Sequence, residues 1–206
     1  MKNKRESTNC FEIRSFRGNS GPEEGAHMNL YQSLNLALFV GAVVALIGGL
    51  AKISTAITER PLTLWLFVAF FALLRLKMFL DDHKYFGNAK TNKVHFKIGF
   101  IIGFVSWLLW VYGAWSVPVL PDAYFLVGVA ITASTIWIVV TALRIGAYRE
   151  QYIWIATNAL FVLMLWIAYR HRTPEDNWIT WLAIGIGILL VILDFIFSKS
   201  VPELET

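Results

Sequence analysis

Residues 178–198 read WITWLAIGIGILLVILDFIFS, a run in which Asp194 is the only ionisable side chain. As a helix rising 1.5 Å per residue, it is long enough to cross a hydrocarbon layer about 30 Å thick. It shows no polar/apolar alternation, so neither a half-buried strand nor a barrel wall fits. Five further apolar runs lie at roughly 30–51, 62–80, 97–120, 123–145 and 152–169. Short polar stretches and Pro61, Pro121, Pro174 and Pro202 mark the boundaries, as expected of residues that end helices. Pro118 puts a kink or a stop near the end of the third run. The pattern predicts an all-α, polytopic membrane bundle of six transmembrane helices with short loops, since lipid leaves no water to satisfy an open backbone.

The bulk composition agrees. Of 206 residues, 57% are hydrophobic and 16% charged, against roughly 45–50% and about 25% in soluble domains. A soluble domain of this size exposes too much surface to hide that much apolar area. Soluble enzyme, nucleic-acid binder, disordered chain and disulfide scaffold are all poor fits. The single cysteine, Cys10, excludes an internal disulfide framework and a cysteine-based metal site. No Walker, dinucleotide, zincin or nucleophile-elbow motif is present. No cofactor and no catalytic residue is expected.

Residues 1–28 form a polar tail, expected to be disordered or to lie on the membrane surface; it lacks the apolar core of a cleavable signal peptide. Met28, just before the first apolar run, is an alternative start. Residues 29–199 form the transmembrane domain, and 200–206 a short C-terminal tail. Of the 18 Lys and Arg, fourteen fall on the side that would hold both termini, and only Lys52, Arg60, Arg170 and Arg172 on the other. The positive-inside bias therefore predicts cytoplasmic N- and C-termini, in a plasma or bacterial inner membrane. Trp65, Trp115, Trp166, Trp178 and Trp181 lie near the predicted outer ends, where an aromatic belt belongs, while Trp107, Trp110 and Trp137 lie deeper as packing groups. Small residues spaced four apart, Gly41/Ala45/Gly49, Gly99/Gly103 and Ala183/Gly187, suit close helix approach. The endings Leu74-Arg75-Leu76, Leu143-Arg144-Ile145 and Leu193-Asp194-Phe195 suit three stacked hairpins; an inverted three-plus-three repeat is the alternative.

Chemistry concentrates at one end of the bundle. The stretch from Arg75 to Phe86 holds Arg75, Lys77, Asp81, Asp82, His83 and Lys84. On a helix, Arg75, Phe79 and Asp82 share one face, while Lys77, Asp81 and Tyr85 share another. Adjacent Asp81 and Asp82 thus point about 100° apart, which argues against a simple acid/base pair. Arg75 either snorkels to the interface or finds a buried partner such as Asp194 or Asp82. A carboxylate as deep as Asp194 must face the bundle and take a proton or a cation, with Arg75 or Arg144 as the expected partner. Asn158 joins this layer by hydrogen bonding, and Thr132, Ser134 and Thr135 are deeper helix glue.

The expected intramembrane polar layer is therefore Arg75, Asp82, Arg144, Asn158 and Asp194, serving ion or proton passage or structural pairing. Lys77, Asp81, His83, Lys84, Lys90, Lys93, His95 and Lys97 are expected in a cytoplasmic loop that meets lipid headgroups or a partner. Anionic lipid gains about 1 kcal/mol per basic residue there. The expected partners are the bilayer, anionic headgroups and either a second copy or another protein, with no nucleic acid. No histidine spacing is diagnostic of a metal. Two functions compete: a small transporter or channel subunit built on the polar layer, or an accessory protein recruiting a partner through 81–97. An enzyme on lipid-linked substrates, using Asp81, Asp82 and His83, ranks third.

Overall fold

The computed structural model describes residues 22–54, 60–88, 93–145, 149–171 and 177–197. They form six helices: α1 (Pro22–Ala51), α2 (Leu62–Asn88), α3 (Lys93–Trp115), α4 (Leu120–Ile145), α5 (Arg149–Arg170) and α6 (Trp178–Phe197). There is no strand among the described residues. Five of the helices are long and apolar enough to cross a membrane, and α3 carries a shorter apolar stretch, Phe100–Trp115. The chain is a multi-pass helical membrane protein.

Local chemistry sets the helix ends. α3 stops at Trp115, before Pro118, and the turn that follows is closed by Val119 N–H donating to the Ser116 carbonyl at 2.8 Å. α4 then starts at Leu120, a few residues earlier than the apolar pattern suggested. Pro121 falls in its first turn, where a missing N–H is harmless, and Asp122 there faces the positive end of the helix dipole. Asn177 caps α6 by accepting the Ile179 N–H at 2.9 Å. α1 begins at Pro22 rather than near residue 30, so the last part of the expected tail is helical.

The six helices close into a ring in the order α1, α2, α6, α5, α4, α3 and back to α1. Each sequential hairpin, α1/α2, α3/α4 and α5/α6, packs against itself. A three-plus-three repeat would require α4 to pack against α5 and α6 as α1 does against α2 and α3, but α4's main neighbours are α3 and α5. Ring closure brings like-directed helices together twice. Tyr31 of α1 meets Gly103 of α3 near their starts, and Gly49 meets the Ala114 carbonyl near their ends. Along α2 and α6, Trp181 Nε1 donates to Thr63 Oγ1 at 3.0 Å at one end, and Lys77 pairs with Asp194 at the other.

Aromatic packing fills the ring towards the loop joining α3 and α4. Phe67 meets Tyr124 edge-on at 5.0 Å, Phe71 meets Trp110 at 5.1 Å and Phe70 meets Phe161 at 5.7 Å. All six rings are essentially buried. Outward faces are apolar instead of polar: Ile47, Ile101, Leu189 and Ile196 are each more than half exposed. That inversion of the soluble pattern is what a lipid solvent covers. At the aromatic end, Lys52 lies over the Trp115 ring at 3.4 Å, Arg170 over Trp166 at 5.8 Å and Arg60 over Trp65 at 5.9 Å. Such cation–indole pairs suit a headgroup layer, where one side of each group is wet.

Candidate functional site

Helical periodicity divides the charged end of α2 between two seams. Lys77 and Asp81, one turn apart, point towards α6 and form an ion pair. Lys77 Nζ also lies 3.0 Å from Asp194 Oδ2, so one ammonium is shared by carboxylates of two helices. The lysine side chain is only 6% exposed, and those of Asp81 and Asp194 are 22% and 11% exposed. Asp194 was expected to pair with Arg75 or Arg144; among the described residues its partner is Lys77. Lys77 and Asp81 therefore lie on a helix within the bundle and not in a surface loop. The reason is geometric: α2 remains helical to Asn88, so Lys77 sits well inside it, on the face that meets α6.

Asp82 turns the other way, towards α3, and accepts a hydrogen bond from Trp107 Nε1 at 3.2 Å. Arg75 follows that face towards α1. It is 1% exposed, so it does not snorkel, and none of its guanidinium nitrogens has a hydrogen-bond partner among the described residues. Two weaker influences offset its burial. Its guanidinium lies 5.6 Å from the Phe39 ring centre, and it interacts with the charge of Asp82 without touching it. Asn35 Nδ2 donates to the Phe79 carbonyl at 3.4 Å, next to the stacked pair Phe39–Phe79, whose centroids are 4.6 Å apart.

Between these seams the ring encloses a cavity. Its volume is about 80 Å³, room for several waters. Every helix contributes: Tyr31 from α1, Asp82 from α2, Trp107 from α3, Trp137 from α4, Asn158 from α5 and Asp194 from α6. Lys77 and Asp81 also line it. Asn158 is 7% exposed and lines the same cavity, so its amide is within reach of whatever water or ligand fills it. The cavity lies at the end of the ring opposite the aromatic packing, where α1, α3 and α5 begin and α2, α4 and α6 finish.

The remaining expected positions divide cleanly. Ser134 Oγ and Ser106 Oγ lie 2.8 Å apart across the α3–α4 seam, and Ser106 also donates to the Ala130 carbonyl. Thr132 and Thr135 instead donate to carbonyls of their own helix, Gly128 and Ile131. His83 is exposed and tilts against Phe79. The side chains of Lys84, Lys93, His95, Lys97 and Arg144, and all of Lys90, lie outside the described residues. No group of three or more His, Cys, Asp or Glu is placed to hold a metal among the described residues. The sequence reading missed Lys77 as the partner of Asp194, and missed Trp107, Trp137 and Trp154 as cavity walls. A tryptophan deep in a span looks the same whether it packs or lines a site, so only Lys77 carried a signal, its four-residue spacing from Asp81.

The chain matches no family model, no curated protein and no solved structure.

Proposed function

We propose that this protein is a small transporter or channel subunit whose solute occupies the cavity. One observation carries the reading: all six helices of an apolar ring turn polar groups into one cavity with room for several waters. Ionisable groups inside a membrane bundle are costly, and structural pairing alone gives no reason for a cavity beside them. The aromatic packing of Phe67, Phe70, Phe71, Trp110, Tyr124 and Phe161 acts as the closed barrier on the far side. The positive-inside bias puts the open side towards the cytoplasm.

The test is flux in proteoliposomes for the intact protein, Asp82→Asn and Asp194→Asn. Protons, Na⁺, K⁺ and small charged and neutral organic solutes are presented in both gradient directions. At least one is expected to move, and its flux is expected to fall at least tenfold in folded Asp82→Asn protein. The absence of any flux from the intact protein, or full flux after both neutralisations, overturns the reading.

A further inference from the structure

The geometry points to a small organic cation, an alkylammonium, as the cavity's ligand, with Asp82 as its counter-charge and tryptophan faces as its walls. This inference deepens the proposed function and rests on the cavity being the solute site. It starts from the charges. Lys77 is engaged by Asp81 and Asp194, and together these three groups carry a net negative charge. Asp82 adds another and touches no cation; its hydrogen bond comes from the neutral Trp107 indole. Arg75 interacts with the charge of Asp82 from outside the cavity wall. Among the described lining residues, three carboxylates, Asp81, Asp82 and Asp194, stand against one ammonium, Lys77, and a low-dielectric bundle screens that excess poorly.

The walls choose between kinds of cation. Tyr31, Trp107, Trp137, Trp154 and Phe161 line the space, so five aromatic side chains are part of its wall. A metal ion needs several oxygen ligands at close range, and two of the carboxylates here are held by Lys77. A diffuse ammonium is instead attracted by ring faces, the mode in which aromatic cages take quaternary ammonium groups. The Asn158 amide, part of the same wall, supplies one polar contact for a hydroxyl or N–H on the ligand. A cavity of about 80 Å³ holds about three waters at a liquid share of about 30 Å³ each, so it suits a ligand no larger than a compact substituted ammonium.

Equilibrium binding to the full chain in lipid nanodiscs tests this, read by calorimetry and by tryptophan fluorescence. The probes are choline, tetramethylammonium, K⁺, sorbitol and 3,3-dimethyl-1-butanol, the uncharged shape analogue of choline. Choline and tetramethylammonium are expected to saturate the site, with dimethylbutanol at least tenfold weaker. Asp82→Asn is expected to weaken choline at least tenfold and Trp137→Leu severalfold, while Asp122→Asn, exposed at the far end, changes nothing. Equal affinity for choline and dimethylbutanol, tighter binding of K⁺ or sorbitol, or no saturation by either ammonium at 100 mM overturns the inference using the unmutated protein alone. Ammonium binding without flux keeps this inference and removes transport; flux of another solute without ammonium binding does the reverse.

Discussion

Replacing Lys77 with methionine should be among the most damaging single changes in the bundle, although the ion pairs it breaks add little net stability. At 3.0 Å from Asp194, with an effective dielectric constant near 20, the attraction is about 5–6 kcal/mol. Desolvating an ion costs several kcal/mol, so most of that gain is already offset in the intact protein. Lys77→Met removes the attraction but leaves two carboxylates, from α2 and α6, facing each other beside an apolar seam. Breaking a buried pair in this one-sided way typically costs about 3–5 kcal/mol. Asp194→Asn should cost much less, about 1–2 kcal/mol, because Lys77 keeps Asp81. The triple variant Lys77→Met/Asp81→Asn/Asp194→Asn should recover to within about 2 kcal/mol of the intact protein, since none of the three positions then carries a charge. Unfolding by SDS titration in mixed micelles measures all three. A loss below about 1 kcal/mol for Lys77→Met, or a triple variant no more stable than the single, refutes the shared-ammonium account.

Arg75→Met is expected to change stability by no more than about 2 kcal/mol in the same assay, because relief from burying a guanidinium without a hydrogen-bond partner offsets the lost attraction to Asp82; a loss above about 2 kcal/mol would show that the Asp82 interaction outweighs the cost of burial. Gly49→Ala should destabilise by about 1–3 kcal/mol, since an added Cβ falls 2.7 Å from the Ala114 carbonyl oxygen, a backbone atom that cannot swing away. Gly185→Ala is its control: nothing lies within 4 Å, and the substitution should be neutral or gain up to about 1 kcal/mol in helix propensity. Equal losses at the two glycines would mean that α1 and α3 do not approach as described.

The fold was legible because lipid imposes one rule on every span. Run length alone separates the helices, and Pro118 and Pro121 mark the turn between α3 and α4. The division of α2 was legible too: 3.6-residue periodicity put Lys77 with Asp81 and Asp82 with Arg75, and the two seams use those faces. Cross-helix partners were not legible. Whether Asp194 meets Arg75, Lys77 or Arg144 depends on which face of each helix is turned towards α6, and a spacing within one helix does not encode that. Nor did the sequence reveal the cavity. Empty space is a property of how six surfaces fail to fill a volume, and no single helix carries that information.

What holds the cavity's charged wall in place is a matched spacing along two helices that run in the same direction. Thr63 and Lys77 are about 21 Å apart along α2, and their partners Trp181 and Asp194 about 19.5 Å apart along α6. Both polar contacts can therefore form together in a single register. Sliding by one turn, about 5.4 Å, breaks both at once. Between them the seam is apolar, and Gly187 lets the Phe70 ring and Met164 close onto the α6 backbone. A side chain at 187 would hold the helices apart even with both polar contacts satisfied, so the ties fix the axial position and the glycine fixes the separation. Asp194 reaches Lys77 only when both conditions hold. The ion pair is thus a consequence of packing along the whole α2–α6 seam, and its loss reports on that seam as well as on the local charge.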